Sequence, residues 1–184
     1  YYDLNQNTIS TISNGYGKQV IHERGVIVKE IEYKNGFPEG TVRAYFLNGR
    51  LKEIYHIVDG KRHGEEWIYY DEAKERPKLW INWYQDEVHG VVKTWYPDGS
   101  LESQKEMIHN QKQGSSTAWY RTGGVMLMEE YNHDKLVNGI YYSKATQEKV
   151  SEVSQGTGVA TLFDSEGYFL QKVKYEKGAI VHEN

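Results

Sequence analysis

Residues 90–114 read GVVKTWYPDGSLESQKEMIHNQKQG, and this stretch carries the fold in miniature. Val91 to Tyr96 is β-branched and aromatic, the composition of a strand. Pro97-Asp98-Gly99 makes a turn, because proline fixes its own φ and glycine enters positive φ without steric cost. A second strand runs from about Leu101 to Ile108, and His109-Asn110 turns the chain again. Asparagine suits that place because, after glycine, it tolerates the left-handed region best. The unit is one β-hairpin plus a turn into the next hairpin.

The spacing recurs along the chain. Gly40, Gly49, Gly60 and Gly64 stand 9, 11 and 4 residues apart; Gly90, Gly99, Asn110 and Gly114 repeat these gaps, as do Gly158, Gly167, Gly178 and His182. Self-similarity at a fixed period of about two dozen residues marks a repeat architecture, in which each unit buries its face against its neighbours. Asn35-Gly36, Asn48-Gly49, Asp59-Gly60 and Asp98-Gly99 are tight-turn dipeptides between apolar segments. Where the second-turn glycine is missing, the register puts Asp86, Asn110 and Asp134 in its place. Asp and Asn are the residues that enter positive φ most readily after glycine.

Aromatic pairs follow the opening glycine at a fixed distance: Tyr45-Phe46, Tyr69-Tyr70, Trp95-Tyr96 and Trp119-Tyr120, with Phe163 in the first slot of the last unit. Neighbours on a strand point to opposite faces, so each pair predicts one ring per face. Stacked units would then carry two aromatic ladders, with cross-strand contacts of roughly 0.2–1 kcal/mol each. Extra length falls at 71–78, which contains Pro77, and the unit at 140–157 is shortened. The pattern fades before Gly25, and Tyr1 to Ser13 reads as a loose lead-in. The expectation is a single repeat domain over 1–184, with 1–24 an atypical cap and 25–182 the repeats. The one helix candidate, Lys144 to Val153, is polar and weakly periodic, and reads better as turn plus strand. The predicted fold is all-β: an elongated, single-layer antiparallel meander of about six to seven hairpin repeats.

Bulk composition agrees. Hydrophobic residues make up 38% of the 184, low for a chain with one thick core, while aromatics reach 14% and include 16 tyrosines. Tyrosine buries its ring and keeps its hydroxyl wet, which suits a thin sheet with half-buried positions. The formal charge of -4, with both signs interleaved, provides no basic footprint for nucleic acid and argues against an anionic membrane surface. No apolar run approaches the ~20 residues of a membrane-spanning helix. Cysteine is absent, which removes disulfides and thiolate metal sites and leaves the compartment open. A first residue of Tyr1 points to a processed or trimmed start.

GTVRAYFLNGRLKEIYHIVDGKRHG (residues 40–64) resembles the bacterial variant of the MORN repeat, with its YxxNGxL…Y…DGxxHG pattern. Such proteins are often labelled YwqK-type antitoxins. The resemblance covers roughly Gly25 to Gly178 in about six units, and the unit at Gly139 fits poorly. It implies one hairpin per repeat and a role in protein–protein contact or scaffolding, with the antitoxin label implying neutralisation of a partner protein. Related repeats in junctophilins are linked to membrane attachment, for which this chain lacks the basic balance. The resemblance transfers no catalytic residues and no cofactor.

Histidine and carboxylate chemistry is weighed next. His63 and His89 precede a repeat-opening glycine, a slot that elsewhere holds Glu39, Gln113 or Asn138, so it reads as a polar turn position rather than a metal ligand. His109 and His133 also fall in turns. The carboxylate pairs Glu65-Glu66, Glu129-Glu130 and Asp71-Glu72 cannot converge on one bond, since strand neighbours diverge, and they read as solvated faces. No HExxH motif is present.

The surface aromatics carry the functional expectation. Trp67, Trp80, Trp83, Trp95 and Trp119 all lie in predicted strands, and ladder packing alone would account for them. By parity Trp67 and Trp95 share a face with Tyr45, Tyr69 and Trp119, and that face also carries Arg43 and Lys93, which suit an acidic partner segment. Exposed Trp, Tyr and Arg dominate interface hot spots. The expected function is a non-catalytic scaffold that binds another protein. Alternatives are a carbohydrate- or cell-wall-binding aromatic repeat and an accessory domain of a longer protein. Open sheet edges further predict a homodimer through edge pairing.

Overall fold

The computed structural model describes residues 10–181, so the expectations for residues 1–9 and for His182 lie outside it. The described residues form seventeen strands and no helix. The chain divides into two compact units at Glu87 and Val88, each an antiparallel meander.

In the first unit the strands are β1 (Ile12–Ser13), β2 (Tyr16–Glu23), β3 (Val26–Lys34), β4 (Phe37–Tyr45), β5 (Leu51–Val58), β6 (Lys61–Arg62), β7 (Gly64–Tyr69) and β8 (Pro77–Tyr84). Each pairs with the next in sequence, except that β6 and β7 lie end to end and both pair with β5. The ladder therefore begins upstream of Gly25. The extra residues fall in the loop between Tyr69 and Pro77, and Pro77 opens its strand, a place where its missing N–H does little harm.

The second unit runs through β9 (Glu87–Trp95), β10 (Leu101–Ile108), β11 (Gln111–Trp119), β12 (Val125–Asn132), β13 (Lys135–Tyr142), β14 (Lys149–Ser154), β15 (Thr157–Phe163), β16 (Phe169–Glu176) and β17 (Ala179–Val181). Neighbouring pairs are again antiparallel. Residues 144–153 are a turn followed by β14, not a helix.

Turn chemistry explains the regularity. Asp86, Asn110 and Asp134 adopt φ of 68°, 66° and 62°, and the residues before them, Gln85, His109 and His133, lie at 52°, 48° and 48°. Two successive positive φ values define the turn whose twist matches paired strands. The Asp and Asn side chains then do what glycine cannot. Each accepts the backbone N–H of Arg62, Val88 or Lys112 at 2.7 Å, while its own N–H donates to that residue's carbonyl at 3.0 Å. Each of these three residues thus clamps the preceding hairpin with two bonds, each worth about 0.5–1.5 kcal/mol. The slot before the opening glycine adds a third tie. Glu39, Gln113 and Asn138 accept the N–H of Asp59, His133 and Gln155 at 2.9, 3.0 and 3.2 Å.

The aromatic pairs behave differently from two stacked ladders. Phe46, Tyr70, Tyr96 and Tyr120 are the first residues beyond their strands. Equivalent positions of successive repeats are two strands apart, about 9–10 Å, too far for ring-on-ring contact. Tyrosine bridges that gap with its hydroxyl: Tyr96 donates to the Trp119 carbonyl at 2.7 Å, and Tyr120 to the Tyr142 carbonyl at 2.6 Å. These stapling rings are almost wholly buried.

Candidate functional site

Each unit has a more buried and a more open face, set by strand alternation. In the first unit Val42 and Tyr55 sit opposite one another on the buried face, and Glu66 joins them opposite Ile81. In the second unit that face packs Tyr131, Leu136, Tyr141, Val153 and Ala160 into an apolar cluster, with Leu127, Leu162, Val173 and Tyr175 against it.

The open face of the first unit carries four of the expected interaction residues. Arg43 lies across from Ile54, which lies across from Trp67. Tyr45 reaches Glu30, the cross-strand neighbour of Arg43, donating its hydroxyl at 2.9 Å. Burial first, then the Glu30 hydrogen bond and charge, push the Tyr45 hydroxyl up to about 12. Tyr69 follows two residues after Trp67 on the same strand. Trp80 stands directly opposite Trp67, with ring centroids 5.7 Å apart and planes 30° from parallel. Glu65 and Asn82 flank this pair across the same two strands. The open face of the second unit carries the other three. Lys93 aligns with Gln104 and Thr117, and Trp95 and Trp119 each lie two residues further along their strands. All seven side chains are half-buried: seated on the sheet, yet with surface left for contact.

Sequence reasoning missed the charged chemistry of the buried faces. Of the pair Glu65-Glu66, only Glu65 is solvated; Glu66 is 2% exposed. Alternation sends one member of any strand pair inward, so a double carboxylate on a two-faced sheet cannot be wholly solvated. Arg62 donates to Glu66 Oε2 at 2.6 Å, and the Trp83 indole donates to the same oxygen at 2.7 Å. The guanidinium also lies 3.7 Å from Glu53 and 4.3 Å from the Tyr55 ring centroid. Burial raises the Glu66 carboxyl, and the Arg62 charge opposes that rise. In the second unit Glu129 is likewise turned inward. It accepts from Tyr141 at 2.8 Å and Tyr131 at 3.0 Å. Burial first, and then the Glu129 charge, lift both phenols far above their ordinary range. Glu130 remains exposed, its partner Asn138 donating at 2.8 Å.

Of the histidines expected in turns, His109 and His133 are there, whereas His89 lies within β9, as His22 and His56 lie within β2 and β5. His109 and His133 adopt positive φ, and His89 packs edge-on to His109 at 5.1 Å. Among the described residues no group of three His, Cys, Asp or Glu is placed to hold a metal ion.

Fold and faces together define a class: an antiparallel hairpin-repeat sheet with aromatic open faces and turn-locked edges. Residues 88–109, which form the hairpin of β9 and β10, match the model described as MORN repeat variant, and this supports a MORN-repeat family. No curated protein matches the chain.

Proposed function

We propose that the protein is a non-catalytic scaffold that captures another protein on the open aromatic face of its hairpins, in the manner of an antitoxin that neutralises its partner. MORN repeats are generally modules for protein or membrane interaction, which supports the coarser part of this reading. The observation that carries the rest is the seating of Trp95, Trp119 and Lys93 on one open face, half-buried and therefore pre-ordered. Rigid aromatic rings lose little entropy on contact, which makes them effective anchors. Single replacements Trp95→Ala and Trp119→Ala should each weaken capture of the partner at least tenfold, with circular dichroism unchanged. Full capture by both variants would refute this choice of face.

A glycan-binding reading rests on a different feature, the near-parallel Trp67 and Trp80 rings with Glu65 and Asn82 beside them. Flat aromatic pairs flanked by polar groups suit sugar rings. Saturable binding on a glycan array that Trp67→Ala abolishes would favour it over protein capture.

A further inference from the structure

The slot two residues after a repeat-opening glycine is buried in five of the repeats. Val42, Glu66, Val92, Tyr141 and Ala160 fill it, all at most 6% exposed. After Gly114 the same slot holds Ser116, which is only half-buried. There the inner face stays open, and the residues around the opening are unlike those of any other repeat.

The hairpin of β5 with β6 and β7 and the hairpin of β10 and β11 share one register, fifty residues apart. Ile57 faces Arg62 as Met107 faces Lys112, and Glu53 faces Ile68 as Ser103 faces Ala118. Arg62 therefore corresponds to Lys112, Tyr55 to Lys105, Glu53 to Ser103 and Glu66 to Ser116. The ring beneath the cation is also kept: the Arg62 guanidinium lies 5.3 Å from the Trp83 ring centroid, and Lys112 Nζ lies 4.3 Å from that of Tyr131. One cation held between two carboxylates in the first unit becomes two cations between two serines in the second.

Among the described residues no ion pair to Lys105 or Lys112 replaces the lost countercharge. Lys105, across from Ser116 and Val92, has no hydrogen-bond or ion-pair partner among the described residues. Burial, and then the charge of Lys112, hold its ammonium below the usual lysine range. Lys112 donates to the Tyr131 hydroxyl at 3.2 Å. The carboxylate on the same face, Glu129 across from Ser116, has both oxygens occupied by the Tyr131 and Tyr141 hydroxyls. Ser103 is bonded to Thr94 at 2.7 Å and lines the same face with hydroxyls. Two ammonium groups against one carboxylate leave one positive charge uncompensated at a partly desolvated place, where an incoming anion is held more strongly than in open water.

We propose that Lys105, Lys112 and Ser116 form a receptor for a carboxylate, supplied by an Asp or Glu side chain in an extended acidic segment of a partner protein. The carboxylate identity follows from the first unit, where the group that occupies this place against the equivalent cation is the carboxylate of Glu66. Charge complementarity selects an acidic segment, and the open sheet beside Ser116 admits an extended chain. The site extends the scaffold reading and rests on it for the nature of the partner. It lies on the face opposite Lys93, Trp95 and Trp119, so the two contacts can fail separately.

The test needs no knowledge of the natural partner. The protein, carrying ¹³C-labelled lysine, is titrated with acetyl-hexaglutamate amide, with hexaglutamine amide and with inorganic phosphate. The side-chain signals of Lys105 and Lys112 should shift saturably with hexaglutamate, stay still with hexaglutamine, and respond at least tenfold more weakly to phosphate. Ser116→Glu restores the first unit's internal counterion and should weaken hexaglutamate binding at least tenfold while raising the thermal midpoint. Lys105→Met should weaken it similarly, and keeps the test intact if the glutamate variant folds poorly. Unmoved lysine signals, tighter binding of phosphate, or hexaglutamate binding unaffected by Lys105→Met would each overturn the assignment, whatever the outcome of capture by the tryptophan face.

Discussion

Between Val42 and Trp83 the buried face is organised around a charge; between Tyr131 and Val173 it is organised around an apolar cluster. Both stretches use turns at positive φ and the same strand alternation. What differs is the occupant of a few inward slots: Glu66 in one, Tyr141 and Ala160 in the other. A hairpin lattice held by its turns tolerates either solution, because its backbone bonds do not depend on what fills the core. The inward slots are therefore free to vary, and with them the chemistry that each repeat presents.

The contrast can be broken most sharply at Leu136, which is fully buried in the apolar cluster. Leu136→Ala should cost about 2–5 kcal/mol in urea unfolding, the range for emptying a packed core site. A cost below about 1 kcal/mol would mean that the cluster is loosely packed and the two regions are alike. Next in size is Glu66→Ala. It leaves Arg62 with only the more distant Glu53 and should cost about 3 kcal/mol, near the lower end for a broken buried pair because Arg62 is 36% exposed. Glu66→Val, which installs the residue found in the Val42 and Val92 slots, should cost less than Glu66→Ala. Equal costs for the two variants would show that the charge, and not the filled volume, stabilises the first region.

A smaller effect separates staple from core. Tyr96→Phe removes one hydrogen bond to Trp119 and should cost about 1 kcal/mol. Burial, followed by the nearby carboxylates, raises the Tyr96 hydroxyl from 10.0 to about 12. Because the folded value lies above the unfolded one, its contribution is complete below pH 10 and is lost as pH rises toward 12. Thermal midpoints measured across that interval should fall less steeply for Tyr96→Phe than for the wild type. Parallel curves would place the alkaline loss at other tyrosines.

The turns and strand limits were largely legible in the sequence. Gly, Asn and Asp at positive φ announce themselves, and β10 occupies Leu101–Ile108 as the spacing predicts. The loop at Pro77 and the turn plus strand after Lys144 were readable for the same reason, because proline and breaks in period are local signals. Parity correctly sorted Trp67 from Glu66, but it could not tell which face was buried. Glu66 was therefore hidden, since a carboxylate in the core looks like a surface residue until its Arg62 and Trp83 partners are known. The one available signal was positional: Val42 and Val92 hold the slot that Glu66 and Ser116 hold elsewhere. The face-to-face placement of Trp67 and Trp80 was equally hidden, because the long loop between Tyr69 and Pro77 leaves the register of β7 with β8 undetermined by spacing.

The central claim is that a partner docks on the open aromatic face, and fluorine NMR tests it most directly. With 5-fluorotryptophan in all five positions, Trp83 serves as an internal control because its indole is turned to the buried face and bonded to Glu66. On addition of the protein recovered by capture, the signals of Trp95 and Trp119 should shift or broaden while that of Trp83 holds still. A response from Trp83 with Trp95 and Trp119 unmoved would contradict the account.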